Sequence, residues 1–502
     1  MYQLNFQPRE YQKNIVETAK SKNTLVILPT GLGKTKIGIE LAVERLNKYP
    51  ESKILICTPT KPLSNQIKNE FIDSTNIDPS KIVLLTGLTK PEKREEIYKE
   101  AKVIVSTPQT SQKDLENNRL NLENFSLLIL DEAHRSREKY ANTRVSQNYF
   151  KKSPYPRILA LTASPGSTKE KIDEIQKNLF IEAIEIRDET SEDVKPYLQE
   201  KNIEFIELDL PESFKEIHKI VERVYLEKVK QLKQFGLTKP SSLVNKRDII
   251  SFQSYLHLEI KNGNRSAFWA ISLAAQALKL THSLEMLETQ SINSFYNFLK
   301  NLENETSKAA KTIINDKRVK NALNLTEKLI ENKIEHPKLT KLRNIILNQL
   351  KENPNSKIII FANFRDTVKN IAENLKQIEN AHPVVLIGQK EGITQKKQLE
   401  TLKEFEEGKY NIIVGTSISE EGLDIKGEGL SVAIFFDSVP SAVRRIQRAG
   451  RVGRLKAGKI IHLITKNTRD QAYHWKSHRD IKKMKNLISN IQSKLEKQSK
   501  LK

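Results

Sequence analysis

At 502 residues, 37% of them hydrophobic and 29% charged, the chain is too long for one ordinary core and suits two to four globular domains. It holds no apolar run long enough to cross a bilayer and opens without a charged-then-apolar leader, which excludes a membrane-spanning helix and a signal peptide and points to a cytoplasmic protein. A single cysteine, Cys57, excludes an intramolecular disulfide framework and a cysteine-cluster zinc site, while the net charge of +22 gathers at one end: residues 441–502 carry eighteen Lys and Arg against three Asp and Glu, a natural match for a polyanion.

From the N-terminus, short continuously apolar runs at 24–28, 54–57, 82–85, 103–106, 127–130 and 158–161 alternate with helical patterns. Strands apolar on both faces predict a parallel sheet covered by helices on each side. A strand at 203–210 follows, with nothing to say which sheet it joins. The texture then changes. Phe214, Ile217, Val221, Val224, Val229 and Leu232 recur at helical steps, predicting one long amphipathic helix over 212–235, stopped by Gly236 and broken at Lys239-Pro240. The stretch 266–287, with Phe268, Trp269, Ile271, Leu273, Leu278 and Leu280, is the most apolar helical segment, and Trp269 reads as a core residue. Helices at 291–304 and 306–332 complete an all-helical insertion, and Pro337 opens the next helix. The α/β texture returns with runs at 358–361, 384–387, 412–414, 432–436 and 460–464. The expected division is 1–200 for a first α/β lobe, 201–335 for the insertion, 336–470 for a second lobe, and 471–502 for a basic C-terminal helix. Trp475, Ile481, Met484, Leu487, Ile488, Ile491 and Leu495 give that helix one apolar face to dock on a lobe.

Three motifs carry chemistry. LPTGLGKT at 28–35 stands between an apolar strand and a helix. A loop that cradles phosphate must turn its N–H groups inward, which Gly31 and Gly33 permit around Thr30, and the helix behind adds partial positive charge. Lys34 would reach the β- and γ-phosphates of ATP and Thr35 would ligate Mg²⁺. DEAH at 131–134 ends another strand, where ligands bind in such sheets. Asp131 would hold Mg²⁺, Glu132 would activate the attacking water, and His134 would link the nucleotide site to motion. SAVRRIQRAGRVGR at 441–454 spaces Arg448, Arg451 and Arg454 three residues apart. An arginine supplied across a cleft can speed phosphoryl transfer by ~10³–10⁵, which places the active site between two lobes.

In this order the motifs resemble those of superfamily 2 helicases over about 1–185 and 336–470. The resemblance implies two RecA-like lobes around the helical insertion. REYQ at 9–12 is similar to the adenine-recognition element, with Arg9 and Gln12. TPTKPL at 58–63 matches motif Ia (Thr60, Lys61), STPQ at 106–109 motif Ib (Thr107, Gln109), and LTASPG at 161–166 motif III (Thr162, Ser164). IFANFR at 360–365 matches motif IV (Phe364, Arg365) and VGTSISEEGLD at 414–424 motif V (Thr416, Ser417, Gly422, Asp424). The resemblance implies that Thr60, Lys61, Thr107, Gln109, Phe364, Arg365, Thr416 and Ser417 meet the nucleic acid. Gly422, Asp424, Gln447, Arg451 and Arg454 would serve the nucleotide, and Thr162 and Ser164 would join His134 in coupling.

The wording of motifs Ia, II and V, and LEMLETQ at 284–290, resemble more narrowly the archaeal Hef helicases, relatives of the Fanconi anaemia M-type DNA translocases. That resemblance implies ATP-driven, 3′-to-5′ unwinding or remodelling of forked and branched DNA in replication-fork repair, at the nucleoid, with the insertion as a thumb beside the duplex. The Glu-Arg-Lys signature of the XPF-type nuclease is not present, so nuclease activity is not expected. A sliding-clamp or nuclease partner leaves no mark in the sequence. The alternative with the same lobe–insertion–lobe plan is a double-stranded RNA-stimulated ATPase of the Dicer or RIG-I-like type, because backbone contacts do not separate DNA from RNA.

Overall fold

The computed structural model describes residues 1–138, 140–166, 168–188, 191–197, 202–387, 395–416, 430–438 and 459–500. The first sheet takes β1 (Thr24–Ile27), β2 (Lys53–Cys57), β3 (Ile82–Leu85), β4 (Val103–Ser106), β5 (Phe125–Leu130), β6 (Ile158–Thr162) and β7 (Ala183–Ile186). All seven are parallel, in the order β3-β4-β2-β5-β6-β1-β7. Strands β1, β4 and β6 are buried at every residue, as the unbroken apolar runs predict, and separate cores cover the two faces of the sheet. β7 lacks such a run: Glu185 interrupts it and three of its four residues are only half-buried, so it was invisible to the apolar pattern and sits at the sheet edge beside β1.

The second sheet contains β8 (Asn202–Leu208), β9 (Lys357–Phe361), β10 (Pro383–Leu386), β11 (Ile412–Gly415), β12 (Leu430–Phe435) and β13 (Lys459–Thr465), again all parallel, in the order β10-β11-β9-β12-β13-β8. This settles the strand at 203–210. It leaves the first lobe, crosses to the second, and pairs along its whole length with β13, from Asn202 opposite Lys459 to Leu208 opposite Thr465. The stretch 201–335 is therefore not purely helical; Asn202–Leu208 forms the edge of the second sheet.

Between β8 and β9 the chain forms a helical bundle: Glu212–Leu232, Lys246–Lys261, Ala267–Thr289, Ile292–Glu303, Lys308–Asn315 and Lys317–Glu331. Gly236, at φ 102°, closes the first of these as expected. The predicted helix at 306–332 is two helices, because Asp316 leaves helical geometry and caps the second through the N–H of Arg318. Helix Ala267–Thr289 corrects the sequence reading most. It packs on Glu212–Leu232 and Lys246–Lys261 through Ala267, Ala270, Ala274 and Ala277, whose small side chains allow close approach. Phe268 and Trp269 lie on the opposite face, 63% and 54% exposed, and the ring of Trp269 meets that of Phe235 in a T-shaped contact. Trp269 is not a core residue.

The C-terminal helix, Arg469–Lys500, bridges the two lobes. It starts against β13 and the bundle, and further along Met484 and Ile488 are buried in the core of the first lobe, with Ile491 packed on them. The expected docking face thus exists at Met484, Ile488 and Ile491, and its docking partner is the first lobe; Trp475, counted in that face, is instead 50% exposed.

Candidate active site

Parallel order brings the motifs together. β5, β6 and β1 are neighbours, so the segments leaving their C-terminal ends, DEAH, motif III and the phosphate-type loop, share one edge of the sheet. β2 and β4 carry motifs Ia and Ib farther along that edge. In the second sheet, β11, β9 and β12 are neighbours and lead into motif V, motif IV and the arginine run respectively.

The loop after β1 has Gly31 at φ 87° and Gly33 at φ 67°, left-handed conformations that turn successive N–H groups to one side. Helix Lys34–Lys48 starts directly behind. Lys34 Nζ donates to the carbonyls of Leu28 (3.1 Å) and Pro29 (3.4 Å), so its ammonium is folded over the loop. The REYQ element holds the loop from outside. Gln12 Nε2 donates to the Gly33 carbonyl at 3.3 Å, its Oε1 accepts from the Arg9 N–H at 2.9 Å, and the Tyr11 hydroxyl donates to the Leu32 carbonyl at 2.7 Å. The left-handed backbone at Gly33 favours glycine, and a Cβ there would stand 2.8 Å from the Gln12 amide and push that side chain aside. Sequence reasoning missed the aromatic part of this element: the Arg9 guanidinium lies 4.8 Å over the ring of Tyr197, which meets Tyr11 edge-on.

At the end of β5, Asp131 is buried beside a second carboxylate, and both effects push its pKa up, opposed by Lys34. Burial alone would raise Glu132 too, yet the bond and charge of His134, with Lys34, hold it well below the usual range. Glu132 also has φ 52°, a left-handed backbone that a non-glycine residue adopts only under constraint. His134 Nδ1 lies 3.1 Å from Glu132 Oε2 and 3.3 Å from Thr162 Oγ1, and Thr162 in turn accepts from the Ser164 N–H at 3.1 Å. The three residues expected to couple hydrolysis to motion form one chain from the glutamate into motif III.

The donor set fits a nucleoside triphosphate with magnesium: a glycine cradle with a lysine for phosphate, and hard oxygens, the Thr35 hydroxyl and the Asp131 carboxylate, for the cation. Among the described residues no cluster of three or more His, Cys, Asp and Glu could hold a metal by itself.

On the adjoining edge, Thr60 and Thr107 occupy the N-cap positions of helices Lys61–Ser74 and Pro108–Glu116 without capping through their side chains, so two helix N-termini stand side by side with Lys61 and exposed Gln109. The Thr60 hydroxyl has no hydrogen-bond partner among the described residues, whereas Thr107 is paired with Thr110 at 2.8 Å. In the second lobe Phe364 packs on the helical bundle, 5.6 Å from the ring of His282, so its ring is at least partly committed to holding the insertion. Arg365 begins the following helix, and Thr416 is buried. Ser417, Gly422, Asp424, Gln447, Arg451 and Arg454 lie outside the described residues.

Residues 5–167 match the family described as "Type III restriction enzyme, res subunit", 337–456 the "Helicase conserved C-terminal domain", and 213–336 the "Putative ATP-dependent RNA helicase, helical bundle". Two parallel-sheet lobes with these motifs at their strand ends define a superfamily 2 helicase. The crystal structure of the Pyrococcus furiosus Hef helicase domain is 41% identical, with a TM-score of 0.71, over 94% of this chain and 98% of that one. The chain belongs to the Hef helicase family. It is also 39% identical to a putative ATP-dependent RNA helicase of Methanocaldococcus jannaschii, over 96% of this chain and 61% of that protein. It is 33% identical to the ATP-dependent DNA helicase fml1 of Schizosaccharomyces pombe, over 93% and 58%. The chain thus spans about half the length of the curated relatives it matches.

Proposed function

We propose that this chain is an ATP-driven motor that unwinds or remodels forked and branched DNA, with 3′-to-5′ polarity, in replication-fork repair at the nucleoid. The observation that carries it is the convergence of Lys34, Asp131, Glu132, His134 and Thr162 at adjacent strand ends of one lobe. In this reading 1–200 binds ATP, the helical part of 201–335 is a thumb on the nucleic acid, 336–470 together with the strand Asn202–Leu208 is the second lobe, and 471–502 is the basic helix. Thr35 and Asp131 would hold Mg²⁺, which when bound offsets charge on the phosphates. Lys34 and the loop N–H groups orient the triphosphate, with Arg9 and Gln12 at its base. Glu132, kept ionised by His134 and Lys34, takes the proton of the attacking water. Gln447, Arg451 and Arg454 complete the site from the other lobe. Thr60, Lys61, Thr107, Gln109, Arg365, Thr416 and Ser417 follow the nucleic-acid backbone, which suits movement along any sequence.

ATP hydrolysis by the purified chain, with and without forked DNA, tests this. Stimulation by the fork is expected, and Lys34→Ala abolishes hydrolysis while fork binding persists. No stimulation by any branched DNA would end the proposal. The RNA reading is favoured by two matches whose names speak of RNA helicases. Stimulation by duplex RNA and not by matched duplex or forked DNA would select it.

A further inference from the structure

The segment LEMLETQ, at the end of helix Ala267–Thr289, has a structural role that its spacing does not suggest. Helices on a bundle surface keep charges in water, yet here Glu285, Glu288, Thr289 and Gln290 are all buried. Buried polar groups must be paired, and the three longer side chains find their partners on other elements. Glu285 takes Lys246 Nζ at 3.0 Å and the Tyr473 hydroxyl at 2.8 Å. Glu288 takes His218 Nε2 at 2.8 Å, the Arg469 N–H at 2.7 Å and the Arg469 guanidinium. Gln290 is fully buried. Its Nε2 donates to Asp437 Oδ1 at 3.1 Å and its Oε1 accepts from the Thr367 hydroxyl.

Asp437 stands at the end of β12. Its other oxygen accepts from the Asn363 N–H in motif IV at 2.7 Å, and Lys338 Nζ lies 4.0 Å away. The next residue, Ser438, has its N–H held by Asp470 at 2.9 Å and its carbonyl reached by Asn363 Nδ2 at 3.4 Å. Ser438 leads, in sequence, into the arginine run at 441–454. One carboxamide therefore joins the base of the insertion, the helix behind motif IV and the strand end from which that run departs. An amide paired on both its donor and acceptor sides inside a dry junction has a single orientation, so rotating the insertion about its base displaces Asp437 with it.

We propose that Gln290 is a positioning residue for ATP turnover, transmitting the placement of the helical insertion through Asp437 and Thr367 to the strand end that leads into the arginine run. This rests on the reading of the chain as a DNA-stimulated ATPase. Leucine at 290 keeps the volume and removes the bonds to Asp437 and Thr367 together with the one Nε2 gives the Thr289 hydroxyl at 2.7 Å, glutamate sets a second carboxylate against Asp437, and Thr367→Val removes one bond only. Thr326→Val is the control, because Thr326 is equally buried but bonds within its own helix, to the Ala322 carbonyl at 2.7 Å.

Hydrolysis rates with and without forked DNA, fork affinity by fluorescence anisotropy, and thermal unfolding are measured for all five proteins. Gln290→Leu and Gln290→Glu are expected to keep DNA-free hydrolysis and fork affinity within about twofold and to lose about five- to tenfold of the stimulation, carried in kcat and not in KM for ATP. Thr367→Val should lose part of it, and Thr326→Val none. Full stimulation in Gln290→Leu overturns the inference, as does a loss in Thr326→Val that matches it at equal unfolding temperature, which would make the effect one of stability alone. Should the unmodified protein show no stimulation at all, it is the functional reading that falls.

Discussion

Glu132, the base of the proposed reaction, shows how surroundings set the charge of a single residue. Burial would raise it, but the bond and charge of His134, with Lys34, hold this carboxylate low, while burial and Glu132 itself push its neighbour Asp131 up, so two adjacent acids are driven in opposite directions. Replacing Glu132 with Gln keeps shape and removes the proposed base. Steady-state hydrolysis is expected to fall about 10²–10⁴-fold with fork affinity little changed; hydrolysis within tenfold of the unmodified protein would show that another group takes the proton. The residue types and spacing of Lys34, Thr35, Asp131 and Glu132 were legible because phosphate loops and acidic strand ends obey local rules. That His134 and Thr162 act together was implied by the resemblance; their direct contact was not legible, since it joins residues 28 positions apart through the side-by-side placement of β5 and β6.

At the scale of elements, periodicity told helix from strand and failed on which side of a helix the core would lie. In Ala267–Thr289 both faces are apolar, so the pattern could not show that alanines pack inward and that Phe268 and Trp269 face outward. The C-terminal helix is the opposite case. Its apolar spacing predicted docking at Met484, Ile488 and Ile491, though not the exposure of Trp475, and the structure adds that Met484 and Ile488 complete the core of the first lobe. Two effects follow that can be separated. Met484→Ala should cost about 2–5 kcal/mol of stability, read from denaturant unfolding. Lys482 and Lys483 are exposed on the same helix, and changing both to Gln should leave stability unaltered while weakening fork binding and lowering its salt slope by up to about 0.9 for each phosphate that a lysine neutralises. An unchanged slope would mean that these lysines only solvate the helix.

Across the whole molecule, the junction of insertion, second lobe and C-terminal helix gathers the buried Glu285, Glu288, His336, Lys338, Asp437 and Asp470. His336 is buried against Phe214 and the Glu288 carbonyl, and burial, with Lys338 nearby, takes its pKa down to about 3. The unfolded chain binds that proton below about 6.5 and the folded chain does not, so stability is lost as pH falls from there towards 3. Burial would raise Glu285, but His282, Lys246 and Tyr473 hold it at about 2, adding a second loss below its ordinary value of 4.5. Asp437 acts the other way: burial lifts it to about 6, so between 3.8 and 6 its contribution grows as pH falls. Melting curves from pH 7 to pH 5 are expected to steepen in Asp437→Asn and to flatten in His336→Asn. Identical slopes in all three proteins would show that the junction does not set acid stability.

Read by itself, the chain specified two parallel α/β lobes, a helical segment between them, and the chemistry of the phosphate and metal positions. These depend on neighbours in sequence: unbroken apolar runs, helical periodicity, and glycines where the backbone must turn. Only the tertiary structure decided that Asn202–Leu208 belongs to the second sheet, that the C-terminal helix returns to the first lobe, and that Gln290 meets Asp437 and Thr367. Each of those is a pairing between segments far apart in the chain. Strand edges and buried amides take whichever partner the assembled fold brings within hydrogen-bond reach, and no local pattern records that choice.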